Sequence, residues 1–532
     1  MFAIPSSRWS RRQVLKYSGI FSASALTGGA PTFAQDPSGP KSLKSEGVAR
    51  SNLYTQIGVR PIVNARGTYT IISGSISLPE VKQAMFEASQ YYVQMDELMA
   101  AAGTEIARLM GAPSAIVTCG CESAIALATV ACICGTDPEL SQAYPYYKSR
   151  PQVIIPKYSR NPYDFGVRMS GAEVVEVESD DDLRSHLGSQ TAMIYILSGP
   201  RAFQEPLSIK TICSIARAKG VPVFVDAAAE EPLAPNNHLV AGATFVGYSG
   251  GKCMRGPQAA GVLLGPKDLC QAAFFNAAPH HNWGRALKVG KEEIMGMLAA
   301  VRVWYKRDHE AEQRQWLAWD QSIADALKGI PSLTTKINMP TDDLSNRAPT
   351  LTIEWDANQV GITGSELVRA LDQGSPRILV LGGEGRRPDQ MHSSVGVMPY
   401  MMQPGDHKLV ADALSQHLRH PEHMADFAVP QGQTAQLAGR WNVVIQYVRG
   451  TGHQQMLLQQ QGLEVTGDLK GELFSAPIRG TVVADRVKLE STLRPYGYEV
   501  PFRFSGEVKG DTFSGDLNLG EYGVATFNAT RE

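Results

Sequence analysis

Short apolar runs punctuate residues 152–266: Val153-Ile154-Ile155, Val174-Val175, Met193-Ile194-Tyr195-Ile196-Leu197, Val223-Phe224-Val225, Phe245-Val246 and Val262-Leu263-Leu264. Between them, 164–170 and 209–219 carry apolar positions at helical spacing. Strands alternating with helices predict a mostly parallel α/β sheet with helices on both faces, and such sheets gather ligands at the carboxyl ends of their strands. Upstream, 57–70 reads as a strand entering a glycine-punctuated loop, 78–109 as helices opened by Leu78-Pro79-Glu80, and 115–128 as strand, glycine turn and alanine-rich helix. Downstream, 330–418 predicts a second, smaller α/β lobe with strands at 351–355 and 378–381 and helices at 363–372 and 408–418. The 382–390 stretch, holding Arg386 and Arg387, reads as a loop.

From about residue 436 the pattern changes to short alternating runs, at 441–447, 454–460, 463–469, 472–478, 479–484, 486–493, 499–508, 512–519 and 523–529. Glycine-containing turns separate them, so this region predicts an antiparallel β-barrel or sandwich of about eight strands. The expected organisation is therefore a signal segment at 1–34, a linker at 35–51, an N-terminal segment at 52–76, a large domain at 77–328, a small α/β domain at 329–430 and a β-domain at 436–532.

The signal reading rests on Ser10-Arg11-Arg12-Gln13-Val14-Leu15-Lys16, a twin-arginine pattern, followed by an apolar run at 17–26 and the small-residue stretch ending Thr32-Phe33-Ala34. That run is too short to span a bilayer. Recognition by the twin-arginine export machinery, cleavage after Ala34 and a periplasmic or otherwise exported location are expected. Fifty basic and 52 acidic residues leave a net charge of −2, which argues against a nucleic-acid surface. Seven cysteines, an odd number, argue against a disulfide framework. The pairs Cys119/Cys121 and Cys132/Cys134 lack metal-ligand spacing and read as small buried residues, so no metal is expected.

The chemistry centres on Ser249-Gly250-Gly251-Lys252, where small residues between two strands present one lysine to a close-approaching molecule. About twenty-five residues earlier, a buried strand ends in Asp226, followed by Ala227-Ala228-Ala229. A lysine for a Schiff base and a carboxylate for a pyridinium nitrogen are the pair that pyridoxal 5'-phosphate (PLP) requires. The helix start after Gly120 offers unpaired amides to the cofactor's phosphate. A basic cluster of Arg285, Lys288 and Lys291 precedes a long helix, and Lys288 and Lys291 share a face if the helix has begun there. Arg377, then Arg386, are the candidates for a substrate carboxylate.

The chain resembles the fold-type-I PLP enzymes related to bacterial selenocysteine synthase, and more closely the D-glucosaminate-6-phosphate ammonia-lyase-like branch. Ordered segments over about residues 57–418 carry the resemblance: Asn64-Ala65-Arg66-Gly67-Thr68, Thr118-Cys119-Gly120-Cys121-Glu122-Ser123-Ala124, Arg160-Asn161-Pro162-Tyr163-Asp164, Asp226-Ala227-Ala228-Ala229, Ser249-Gly250-Gly251-Lys252 and Gly284-Arg285. It implies a homodimer or higher homo-oligomer with PLP on Lys252, Asp226 on the ring nitrogen, and Gly120, Cys121, Glu122 and Ser123 at the phosphate. Ala228, Ser249 and Arg285 are implied as further cofactor contacts. Where related sequences carry a ring-stacking histidine this chain has Lys157-Tyr158-Ser159, and Tyr158 is expected to substitute. The expected activity is α,β-elimination from an amino acid or amino-sugar acid, with racemisation or transamination as alternatives on the same carbanion. A non-catalytic exported binding protein is the alternative outside enzymes.

Overall fold

The computed structural model describes residues 52–146, 150–387, 390–421 and 432–532. The expected signal segment and linker lie outside the described residues.

A seven-stranded sheet forms the large lobe, running edge to edge Ser114–Thr118, Gly261–Gly265, Phe245–Ser249, Val223–Asp226, Thr191–Leu197, Gln152–Pro156 and Glu173–Val177. The pairings are parallel except on the two sides of Gly261–Gly265. Val223–Asp226 and Gly261–Gly265 are buried throughout, as strands covered on both faces must be. Small residues set the packing distances. A Cβ on Gly103, in the helix Met95–Met110, would stand 2.1 Å from the Ala115 carbonyl oxygen, so only glycine lets this helix lie on the edge strand. Helix Cys121–Cys134 is apolar and almost wholly buried, which is why it tolerates no polar face.

The small lobe holds a five-stranded sheet in the order Ile62–Ala65, Arg377–Arg386, Gln390–Val397, Thr350–Asp356 and Thr334–Asn338. Its first strand comes from the segment expected to stand alone before the large domain, paired parallel to Arg377–Arg386. The stretch expected as a loop around Arg386 is instead mostly hairpin. Gly382, Gly383 and Gly385, at φ +74°, +113° and +92°, accompany bulges in its register rather than ending the strand. Helix Lys291–Trp304 starts at a Gly290 cap, so Lys288 precedes it and the shared face expected of Lys288 and Lys291 does not form.

Residues 439–531 close into an eight-stranded antiparallel barrel. Its strands alternate inward and outward, with Trp441, Val443 and Ile445 buried from the first of them. Phe504, Phe513 and Phe527 fill the interior, as eight strands require. Nine runs in the sequence become eight strands because 472–478 and 479–484 belong to one strand, Ser475–Val483, which passes through Gly480. A Cβ at Gly480 would stand 1.9 Å from the Lys488 carbonyl oxygen, so this glycine admits a neighbouring strand rather than a turn.

Candidate active site

Four loops converge at the carboxyl edge of the seven-stranded sheet. Asp226, 1% exposed, ends its strand there. Its carboxylate accepts from the Tyr195 hydroxyl at 2.8 Å, the Ala228 backbone N–H at 3.0 Å and the Cys121 thiol at 3.5 Å. A carboxylate offers about four acceptor positions, so roughly one is left for a further donor. Tyr195 is itself held by Asn161 Nδ2 at 3.0 Å. Burial, then the Asp226 charge, pushes both the Tyr195 hydroxyl and the Cys121 thiol well up, so both remain neutral donors.

Lys252 stands on the turn after Phe245–Ser249, half-buried, with Nζ 5.6 Å from the centre of the Tyr163 ring. Among the described residues no carboxylate pairs with it. The turn is pinned on its far side, where Cys253 Sγ donates to the Glu230 carbonyl at 3.2 Å and Arg307 donates to the Cys253 carbonyl at 2.9 Å. Beside it, helix Cys121–Cys134 begins at Gly120, φ +82°, with no side-chain cap and open space where a Cβ would stand. Gly261 makes the approach possible, since a Cβ there would lie 2.8 Å from the Cys121 nitrogen. The amides of Cys121, Glu122 and Ser123 are therefore free for an anion. The Glu122 carboxyl is raised by burial and further by Asp226, with Arg168 opposing. The Ser123 hydroxyl is already engaged, donating to the Cys119 carbonyl at 2.6 Å. Ser249 is half-buried on the Lys252 turn.

These groups fit PLP: an amine with no acid partner, a buried carboxylate with an acceptor position left, and an uncapped helix start opening on empty space. The remaining candidate residues have surroundings of their own. Arg377 pairs with Ile62, the first residue of its partner strand, away from the Asn64–Gly67 turn, and is ion-paired to Asp372 at 2.6 Å. Arg386 is ion-paired to Glu490 of the barrel at 3.4 Å. Arg285 is exposed on its loop. The Tyr158 hydroxyl donates to the Leu207 carbonyl at 2.7 Å and Arg201 lies over its ring. Tyr163 is the aromatic that meets Lys252.

Sequence reasoning also passed over Arg66. Its turn is tied by Asn64, whose Oδ1 accepts from the Arg66 and Gly67 amides at 3.0 Å. Thr68 bonds the Tyr400 hydroxyl at 2.8 Å, Tyr400 donates to Asn346 at 3.0 Å, and the Asn346 amide donates to the Ala229 carbonyl at 3.0 Å, three residues beyond Asp226. The guanidinium lies over Tyr69 at 4.6 Å and its buried Nε has no partner. The Asn64–Thr68 segment was visible in the sequence, but its link to Ala229 runs through Tyr400, 332 positions beyond Thr68.

The large sheet, the small lobe and the lysine turn together define a fold-type-I PLP enzyme. No family model matches the chain. It is 27% identical over 381 residues to the D-glucosaminate-6-phosphate ammonia lyase of Salmonella typhimurium, covering 69% of this chain and 98% of that protein. It is 30% identical over 341 residues to the 5'-C-glycyluridine monooxygenase-decarboxylase of a Streptomyces species, covering 61% of this chain and 83% of that protein. The solved structure of D-glucosaminate-6-phosphate ammonia-lyase matches with a TM-score of 0.61 and 26% identity, over 70% of this chain and 99% of that one. The chain belongs to the family of PLP-dependent enzymes that includes D-glucosaminate-6-phosphate ammonia lyase and selenocysteine synthase, and pyridoxal 5'-phosphate is its cofactor. The barrel is an addition to that architecture.

Proposed function

We propose that the protein is an ammonia lyase that removes the amino group of an amino acid or amino-sugar acid by α,β-elimination. Lys252 Nζ holds the cofactor and takes the proton from the substrate's α-carbon. Asp226 keeps the ring nitrogen protonated, and Tyr195, Cys121 and the Ala228 amide orient its carboxylate. The amides of Cys121, Glu122 and Ser123, with Ser249, hold the phosphate. Arg66 replaces Arg377 and Arg386 as the cation for the substrate carboxylate, being the arginine with a buried, unpartnered nitrogen on a turn linked to Ala229. When bound, PLP withdraws electrons from the substrate's α-carbon. Elimination breaks the α C–H and β C–X bonds, X leaves with a proton as HX, and one water then hydrolyses the remaining imine to a 2-oxo acid and ammonia.

The observation that carries this reading is the juxtaposition of an unpaired Lys252 with a buried Asp226 that still has acceptor capacity. Purified protein should show the visible absorbance of lysine-bound PLP, lost in Lys252→Ala, and should release ammonia and 2-oxo acid from hydroxyamino or aminosugar acids. Loss of optical activity without those products would turn the assignment to racemisation. Colourless protein that takes up no PLP would sink it. We further propose a homodimer, since Leu53 and Ile57, before helix Pro79–Ser89, and Tyr91 and Tyr92, just after it, are exposed large hydrophobics. Residues 1–34 are proposed to direct twin-arginine export, checked by fractionating cells that express the Arg11→Lys/Arg12→Lys form.

A further inference from the structure

The barrel reaches the active site. In an up-and-down barrel every second hairpin opens at the same end, so the connections at 494–499 and 519–523 share one rim. Gly497, at φ +81°, lies directly on the loop that carries Tyr163: a Cβ there would stand 2.7 Å from both the Arg160 carbonyl carbon and the Asn161 nitrogen. That same loop sends Asn161 to Tyr195 and the Tyr163 ring to Lys252. On the other side, Glu490 of the barrel pairs with Arg386 of the small lobe. The barrel is thus fastened to both lobes, with its rim beside the residue that faces the catalytic lysine.

The rim has a distinct chemistry. Tyr498 donates to the Glu521 carboxylate, and the Tyr498 and Tyr522 rings meet edge-on with centroids 6.1 Å apart. Tyr522 is 59% exposed and Tyr163 46% exposed, so two aromatic rings are open to solvent near one carboxylate. Among the described residues no cation pairs with Glu521. Arg494, on the same rim, pairs with Glu499 at 2.8 Å, and Arg160, against Gly497, pairs with Asp164 at 2.6 Å and with Glu176. The Glu521 charge reaches Tyr163, helping to raise that hydroxyl after burial, Asp226 and Glu122.

We propose that Tyr498, Glu521 and Tyr522, with Tyr163, form a specificity wall that binds the far end of the substrate, and that this end is a hydroxyl-bearing chain without a phosphate. Carboxylate oxygens accept from hydroxyls, and tyrosine rings cover the C–H faces of a polyol. A phosphate there would meet the Glu521 carboxylate, which no cation neutralises among the described residues. This deepens the lyase reading and rests on it for the reacting end of the substrate.

The test is calorimetric titration of PLP-saturated Lys252→Ala protein, which does not turn over, with D-glucosaminate and with D-glucosaminate 6-phosphate. The unphosphorylated compound should bind about tenfold more tightly, the size expected of one charged contact. In the same background Glu521→Gln should weaken it severalfold, and Glu521→Lys should reverse the preference while the melting temperature is retained. In protein with an intact Lys252, Glu521→Gln should act mainly on KM. Equal affinities, no binding of either compound, or indifference to Glu521→Lys would overturn the wall. A preserved preference in protein whose wild type releases no ammonia would support the wall and count against the lyase reading alone.

Discussion

The seven-stranded sheet and the barrel both bury apolar side chains between strands, yet they leave different places for chemistry. An open, mostly parallel sheet ends in a row of loops along its carboxyl edge, and Asp226, Lys252, Gly120 and Tyr163 all stand on or just beyond strand ends there. The barrel has no open edge and a filled interior, with Trp441 and Phe513 at 0% exposure. Only its outer face and end connections meet other molecules. An added closed module can influence a neighbouring site through its rim, whereas the sheet supplies the groups proposed to react.

Chemistry and stability should therefore separate between the two regions. The largest effect is expected from Asp226→Asn, which keeps the shape and one acceptor oxygen, enough for the Ala228 amide and Cys121 but not also for Tyr195, and removes the charge. Turnover should fall about 10²- to 10³-fold with little change in melting temperature, measured by ammonia release and calorimetry. Next is Asp320, fully buried in the small lobe with neither carboxyl oxygen partnered, where burial pushes the pKa up to about 8. The folded state then keeps a proton that the unfolded chain loses above its ordinary value of 3.8, so stability declines as pH rises from about 4 to about 8. Asp320→Asn should remove this slope, gaining on the order of a few kcal/mol near pH 8 and little near pH 4 in denaturant titrations. As this residue belongs to neither region of the comparison, activity should follow only the folded fraction.

Gly480→Val attacks the barrel alone. Its side chain meets the Lys488 carbonyl, and a loss of about 1–3 kcal/mol is expected in the unfolding of the barrel, with visible cofactor absorbance preserved. Loss of the absorbance would show the two regions to be more tightly coupled than described. The smallest effect is expected from Arg386→Ala, since partly exposed ion pairs contribute about 0–1 kcal/mol. A large drop in stability would make that contact a principal fastening of the barrel.

Local signals were legible. Lys252, Asp226 and Gly120 each sit at the end of an apolar strand, so strand, turn and reactive residue are read within one short window. Glycines misled where their reason was tertiary: Gly480 lets strands cross closely, and Gly382, Gly383 and Gly385 accompany bulges, yet all resemble turn punctuation in sequence. Pairing of Ile62–Ala65 with a strand more than 300 residues later left no local trace. Charge alone singled out Arg377 and Arg386. Asp372, five residues before the first, was visible nearby, whereas Glu490, 104 residues beyond the second, was not. Tyr163 was quoted within a motif, but its meeting with Lys252 spans 89 positions and needs the folded sheet.

Closure of the barrel also sets an order of assembly. The strand Val524–Arg531 pairs on one side with Thr512–Asn518 and on the other with Gly439–Gln446. During synthesis the chain emerges from its first residue onward, so the eight strands cannot form a ring until this one is out of the ribosome. Residues 52–421, containing Lys252, Asp226 and the helix start at Gly120, are all made earlier. Domains generally fold in the order they are made. The residues proposed to hold the cofactor are thus made before those of the rim bearing Tyr498 and Glu521.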